Sequence, residues 1–415
     1  MESKGFIREH IFSIPDSAFS ILNTVMGEFK PDIETIAKIK VIGVGGSGGS
    51  AVNRMVAAKI KGVDFLAINT DLQALHQCHA QHRLHIGKNT TRGLGAGMDP
   101  TVGRAAADES VNELRDMLRG ADMVFITCGL GGGTGSGASP TVAGIAKELG
   151  ALTVAVVTKP FTFEGAQRRE IAEKAHAELK EKVDAIITIP NDRLLQVVDK
   201  QVSLLDAFET CDETLRQGVQ GIADLITVPG LINLDFADVK AIMSDTGSAL
   251  MGIGRASGEN RAVNAAKAAV SSPLLELSIE GAKGILFSIA GPRGITMHEV
   301  NEAAKIITQS ADPNAKIIFG TVIDEALKDE VKITVIATGF AERAKSLHEE
   351  PTAETSYKPT AFVRRERKPE PPRPAPRPMP IPEPVAEEPT MPTPSKTTEE
   401  EELEIPAFIR RRIKR

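Results

Sequence analysis

The chain of 415 residues contains no tryptophan, one tyrosine and only three cysteines, Cys78, Cys128 and Cys211. An odd, sparse set without CxxC spacing excludes a disulfide framework and a structural zinc site, and fits a reducing cytoplasm. No run of 18 or more apolar residues is present, so the sequence offers no membrane span. The N-terminus carries Glu2, Lys4, Arg8 and Glu9 ahead of Pro15 and Asp16, which is not the pattern of a secretory leader. A net charge of -6, from 49 Lys+Arg against 55 Asp+Glu, argues against general nucleic-acid binding, which rests on basic patches. No GxxxxGK[ST] occurs, so a P-loop lysine is excluded. The last 76 residues contain no glycine at all.

Proline and glycine are abundant elsewhere, and unevenly placed. Of 25 prolines, 15 lie between Pro351 and Pro406. Proline fixes φ and lacks the amide donor, so the stretch from Lys368 to Pro384 excludes helix and central strand and predicts polyproline II or disorder. We therefore expect a disordered linker over 341–400. Beyond it, Leu403, Ile405, Phe408, Ile409 and Ile413 return beside five cations in the last six positions. Residues 401–415 read as a tethered docking peptide for a partner protein, with Arg410 to Arg415 able to touch anionic lipid.

Between about residues 38 and 340, short β-branched runs alternate with helical patterns. Lys38–Gly43, Asp64–Asn69, Met123–Thr127, Leu152–Val157 and Ala185–Pro190 predict buried strands separated by crossover helices, the pattern of a parallel α/β sheet covered on both faces. Leu205, Phe208, Leu215, Val219, Ile222 and Ile226 recur near helical spacing and predict one long helix from Ser203, with Ser203 and Asp206 placed for a capping box. Strand candidates at Gly284–Ile289, Lys316–Gly320 and Val331–Ile336, with helices at Asn260–Val270 and Met297–Gln309, predict a second α+β domain. The fold expected is α/β: a Rossmann-like parallel-sheet domain over 38–202, a long central helix over 203–230, a second α+β domain over 231–340, and a Pro-rich disordered tail. Residues 1–37 form an N-terminal extension without a derived role.

Two glycine clusters each sit between a strand and a helix. The first is Gly43, Gly45, Gly46, Ser47, Gly48 and Gly49; the second runs from Gly129 to Gly137. A strand, a glycine loop and a helix start present unpaired N–H groups to an anion. Gly43, Gly45 and Gly48 alone satisfy GxGxxG, and Asp71 lies where a ribose-binding acid would sit, so an NAD-dependent oxidoreductase is one reading. The second cluster favours a polyphosphate bracketed by two helix starts, with Thr134 and Ser136 adding hydroxyls. A third loop, Arg92–Asp99, could close over the terminal phosphate.

The run Gly131–Gly137, GGGTGSG, resembles the signature of the tubulin/FtsZ family. So do Asn69–Asp71, Lys159–Gly165, Ile189–Asp192, Asn233–Asp238, Ser271–Leu275 and the terminal Ile405–Arg410. The Pro-rich linker and end peptide make the chain similar to the bacterial cell-division branch rather than to eukaryotic tubulins. The resemblance implies a cytoplasmic GTP-binding, GTP-hydrolysing protein at the division site. Its subunits stack head to tail into the filaments of the division (Z) ring. GTP or GDP is the implied ligand, with Mg2+ accompanying it and no metal site of the protein's own. The implied partners are further copies of the chain, and membrane-tether and regulatory division proteins through residues 401–415, so that membrane contact is indirect.

By the same resemblance, Gly45, Gly46, Ser47, Gly48, Gly49 and Ser50 form the first phosphate loop. Gly131, Gly132, Gly133, Thr134 and Gly135 form the signature loop. Asn69, Asp71, Gly95, Ala96 and Gly97 complete the phosphate side, while Glu164 and Arg168 hold ribose and phosphate. Asn191 and Asp206 match the guanine readers, and Phe208 either stacks on the base or packs in the core. Asn233, Asp235 and Asp238 match a catalytic loop (T7-type) that completes the neighbouring subunit's site. From spacing alone, Asp235 and Asp238 are equally a turn and a helix cap. Ser47 stands where glycine is usual in the family, Ser50 where asparagine is, and Met98–Asp99 replaces a more usual Ala-Asn.

Overall fold

The computed structural model describes residues 37–195, 203–228, 230, 232, 234–272 and 279–340. The extension before residue 37, the linker, the docking peptide, Asn233 and the end of the Ser271–Leu275 motif lie outside the described residues.

Ten strands form one sheet in the order β3-β2-β1-β4-β5-β6-β7-β10-β8-β9. The first six are β1 (Ile39–Val44), β2 (Val63–Asn69), β3 (His82–His85), β4 (Met123–Gly129), β5 (Leu152–Lys159) and β6 (Ala185–Pro190), all paired in parallel. Their order, 3-2-1-4-5-6, is that of a doubly wound nucleotide-binding sheet. Alternate residues serve opposite faces. Ile39 and Val41 enter one core with the helix α1 (Gly45–Ala57), while Ile42 and Val44 enter the core beneath the helices of the other face. Burial on both sides explains why these strands, the edge strand β3 excepted, are near-continuous apolar runs.

Along the chain follow α2 (Leu72–His76), α3 (Lys88–Thr91), α4 (Pro100–Glu109), α5 (Val111–Leu118), α6 (Gly133–Glu148), α7 (Ala166–Lys182) and α8 (Asn191–Leu194). The central helix α9 (Leu204–Thr227) is 24 residues long, about 36 Å at 1.5 Å per residue. Leu215, Val219 and Ile222 bury against the sheet. In its first turns Ala207 and Cys211 are buried too, but Leu205 is 69% and Phe208 40% exposed. The helical period includes both, and of the two readings of Phe208, base or core, its exposure leaves the ring accessible. Ser203 Oγ accepts from Asp206 N at 3.2 Å and donates to the Asp206 carboxylate at 2.7 Å. The expected reciprocal box is thus replaced by a side-chain pair.

The second half contains α10 (Phe236–Met243), β7 (Gly247–Ser257), α11 (Arg261–Val270), β8 (Gly284–Gly291), α12 (Met297–Gln309), β9 (Lys316–Ile323) and β10 (Glu330–Thr338). Strand β7 pairs parallel with β6, starting at Ala185 opposite Gly247, and antiparallel with β10, so it carries the sheet from one half into the other. Neither β7 nor β3 is evident from sequence. Gly247, Gly252 and Gly254 interrupt the apolar run of β7. The reason is packing: the Ala265 carbonyl and Ala269 amide of α11 lie where a Cβ on Gly254 would be. Strand β3 is a four-residue edge strand with an exposed start.

Candidate nucleotide site

The strand order reverses between β1 and β4, and ligands of open α/β sheets bind at that point, beyond the strands' carboxyl ends. Both glycine clusters stand there. Helix α1 starts at Gly45 behind Val44, and α6 starts at Gly133 behind Gly132; neither start has a side-chain cap. Their first N–H groups therefore carry the partial positive charge of two helix ends without an internal acceptor.

The loops are locked together. A Cβ on Gly45, whose φ is 74°, would lie 3.1 Å from Gly135 N, so only glycine brings the two loops this close. Ser47 Oγ accepts from Gly129 N–H at 2.8 Å, tying the first loop to the end of β4. The Thr134 and Thr70 hydroxyls meet at 2.6 Å, both buried. The Ser136 hydroxyl, expected to face phosphate, instead accepts from Gly131 N–H at 2.9 Å and is buried, so it shapes its own loop. The third loop docks on this pair: a Cβ on Gly133 would sit 2.8 Å from Ala96 Cβ, and Leu94 bridges to Asp71. Gly95 and Gly97 lie in the same loop with positive φ. Asn69 is buried at the end of β2, and its Oδ1 accepts from Asp71 N–H at 3.2 Å. The Asp71 carboxylate caps α2, accepting from Gln73 N at 2.8 Å and Ala74 N at 3.2 Å. Both bonds fall on Oδ1, so the cap fixes the carboxylate at the start of α2.

A cleft of about 170 Å³ opens among these parts, lined by Gly45, Gly46, Gly49, Ser50, Asn69 and Cys78, with others. A larger cleft of about 310 Å³ lies away from the glycine loops, between α4, α5, α6 and α7. It is flanked by the ion pairs Arg104–Glu178 and Arg115–Glu148.

On the far rim, Glu164 accepts from Phe161 N at 2.9 Å and from Arg168 at 2.5 Å, and the Arg168 carbonyl lies beside Gly131. Phe208 meets Phe161 edge-on, with ring centroids 5.6 Å apart. Asn191 opens α8 and is 6% exposed, yet its Oδ1 accepts no hydrogen bond. A buried acceptor without a donor is costly unless a ligand supplies one.

Asp206 is exposed and paired with Ser203. Asp212 lies one helical turn beyond Phe208 and differs sharply. Arg54 of α1 approaches it at 3.7 Å while also pairing with Glu209 at 3.0 Å. Burial nonetheless raises the Asp212 carboxyl to about 6. The sequence reading did not select it; Phe208 and Asp212, four apart on one helix face, were the available signal.

At the other end of α9, Asp235 caps α10 by accepting from Ala237 N at 3.3 Å, and Asp238 sits in its first turn. The cap reading and an exposed carboxylate coexist here. The loop lies a full central helix away from the glycine loops, so its carboxylates are remote from the phosphate loops of the same chain. Among the described residues no group of three or more His, Cys, Asp or Glu gathers to hold a metal.

These features define a class: a doubly wound α/β fold of the nucleotide-binding type, whose glycine loops offer backbone N–H and hydroxyl groups rather than a lysine. The comparisons make the class specific. Residues 38–199 match the GTPase domain of the Tubulin/FtsZ family, and residues 247–341 match the FtsZ family C-terminal domain. An empty FtsZ dimer structure from M. jannaschii is similar at 44% identity and a TM-score of 0.72, covering 79% of this chain and 93% of that one. CetZ2 from Haloferax volcanii, solved as a GTPgS-bound protofilament, shares the fold at 22% identity and a TM-score of 0.63, covering 74% and 96%. The chain belongs to the tubulin/FtsZ family. It is a GTP-binding GTPase of the cell-division filament type. Among the described residues, no helix is long and apolar enough to cross a membrane.

Proposed function

We propose that the chain stacks head to tail with copies of itself and hydrolyses GTP at each joint. The observation that carries this is the separation of parts: a nucleotide cradle at one end of α9, and a loop with two carboxylates at the other. A heterologous contact that repeats without closing gives a filament. The M. jannaschii relative widens the cellular setting from the bacterial Z ring to prokaryotic division filaments in general.

In this reading the phosphates rest on the uncapped starts of α1 and α6, within Gly45–Gly49 and Gly131–Gly135. Their N–H groups stabilise negative charge as it develops in the transition state. Glu164 and Arg168 border the ribose and phosphates, and Phe208 offers a half-exposed ring to the base. The Asn191 Oδ1 finds its donor on guanine. Asp212, rather than Asp206, takes the guanine N1–H and exocyclic amine, because it faces α1 and is partly desolvated, whereas Asp206 is bonded to Ser203. Asp235 and Asp238 of the next subunit orient a water in line with the γ-phosphate. Mg2+ accompanying the nucleotide would supply charge neutralisation at the phosphates. Residues 401–415 recruit the filament to a membrane tether at the division site, a reading that rests on sequence alone.

The direct test is sedimentation with GTP. The expected result is a filament pellet that disperses as GTP is consumed. A chain that hydrolyses GTP yet never pellets would overturn the head-to-tail reading.

A further inference from the structure

The loop that carries Asp235 and Asp238 is fastened to a strand almost 90 residues further along. Strand β9 ends the ten-stranded sheet, with β8 on one side and no strand on the other. On that open side the loop forms a bridge, Ile232 to Thr321. Thr321 N–H donates to the Ile232 carbonyl at 3.2 Å, and Ile232 N–H donates to Thr321 Oγ1 at 3.1 Å. Thr321 is 4% exposed, so its hydroxyl is fixed in place.

The surroundings are shaped for this contact. A Cβ on Gly230 would collide with the Thr321 carbonyl, so the chain lies flat against the strand there. A Cβ on Gly320 would lie 2.8 Å from Leu225 and 3.3 Å from Leu234, so the missing side chain leaves room for residues on both sides of the loop. Two residues beyond Ile232, the Leu234 side chain packs into the core beneath α9. Asp235 then caps α10, and Asp238 N–H donates to the Asp235 carbonyl at 3.0 Å. The position of both carboxylates is therefore set from Thr321, through Ile232 and Leu234, to the start of α10.

We propose that Thr321 is a positioning residue for GTP hydrolysis: from the edge of the sheet it clips the chain at Ile232 so that Asp235 and Asp238 reach the neighbouring subunit's nucleotide in register. The proposal rests on the shared-site reading above. A hydrolytic water tolerates little misplacement, and the loop must meet its target across an interface rather than within one chain. Removing the hydroxyl leaves the backbone half of the bridge, so the loop shifts without detaching.

The test compares the full chain with Thr321→Val, Thr321→Ser and Asp238→Ala. The readouts are turnover at saturating GTP, GTP affinity of the dilute protein, filament sedimentation and the thermal midpoint. Thr321→Val is expected to lower turnover about tenfold, with affinity, pelleting and midpoint held. Thr321→Ser, which restores the acceptor, returns turnover to near the parent value. Unchanged turnover in Thr321→Val, or a loss that follows the midpoint and is not rescued by serine, would overturn the proposal. Asp238→Ala separates the two levels. Its full activity would reject the loop reading itself; its inactivity beside a normal Thr321→Val would reject only the role of Thr321.

Discussion

The two ends of α9 are built by opposite means. At the nucleotide end, three glycine loops and the Asn69–Asp71 segment interlock through backbone groups and short hydroxyls. The ties are redundant: Ser47 to Gly129, Thr134 to Thr70, Ser136 to Gly131, Leu94 to Asp71. At the other end, the Ile232–Thr321 bridge ties the chain to an edge strand, Leu234 packs against the core and Asp235 caps α10. The comparison teaches where precision resides. The nucleotide end can lose a single tie and keep its shape. At the carboxylate end the bridge joins residues far apart in sequence, Ile232 and Thr321, while the Asp235 cap is local.

Asp238→Ala should divide the two ends most sharply. GTP affinity should stay within about twofold, while turnover falls about a hundredfold, the scale of losing a group that positions or activates a water. Single-turnover phosphate release from preformed filaments measures it. A loss of affinity equal to the loss of turnover would mean that the two ends are not functionally separate.

Asp212→Asn should have the next largest effect, confined to the base. Preference for GTP over ATP should fall about tenfold or more, because a site built around the guanine donors discriminates by those bonds. The carboxyl also gives the nucleotide end a pH dependence. Its folded value of about 6 exceeds the ordinary 3.8. The folded protein therefore holds the proton more tightly than the unfolded chain. This group's contribution to stability is full below about pH 4, declines as pH rises to about 6, and is level above. Guanine binding runs the other way, since the ionised form is the acceptor: affinity should weaken as pH drops through 6. Both slopes should vanish in Asp212→Asn, measured by binding and thermal-melt titrations.

Ser47→Ala should have the smallest effect. It removes one hydrogen bond of about 1 kcal/mol and leaves the Gly129 N–H exposed to water. Nucleotide affinity should fall by only a few-fold, with turnover of bound GTP unchanged. A collapse of binding would show that the nucleotide end is no more redundant than the other.

The same contrast decides what could be read from sequence. The glycine loops were legible because backbone geometry demands glycine locally, next to β-branched strands buried on both faces. The helix Met297–Gln309 was legible for similar local reasons, while spacing alone leaves Asp235 and Asp238 open between turn and cap, and the structure makes Asp235 the cap. Strand β7 was hidden because glycines interrupt its apolar run, one of them, Gly254, making room for α11. Phe208 is open between base and core in the sequence because helical period cannot show which side of a helix start stays exposed. Asp212 and Thr321 were missed because their significance lies in partners far along the chain: Arg54 on α1 for one, Ile232 for the other. Residues whose roles come from long-range placement leave little mark on local pattern.

The central claim is that neither end hydrolyses GTP without a neighbour. Turnover per subunit, measured at saturating GTP from well below to well above the threshold for filament formation, tests it most directly. The account predicts almost no turnover at the dilute extreme, a steep rise at the threshold and a plateau above it. Constant turnover per subunit across the whole range would contradict it.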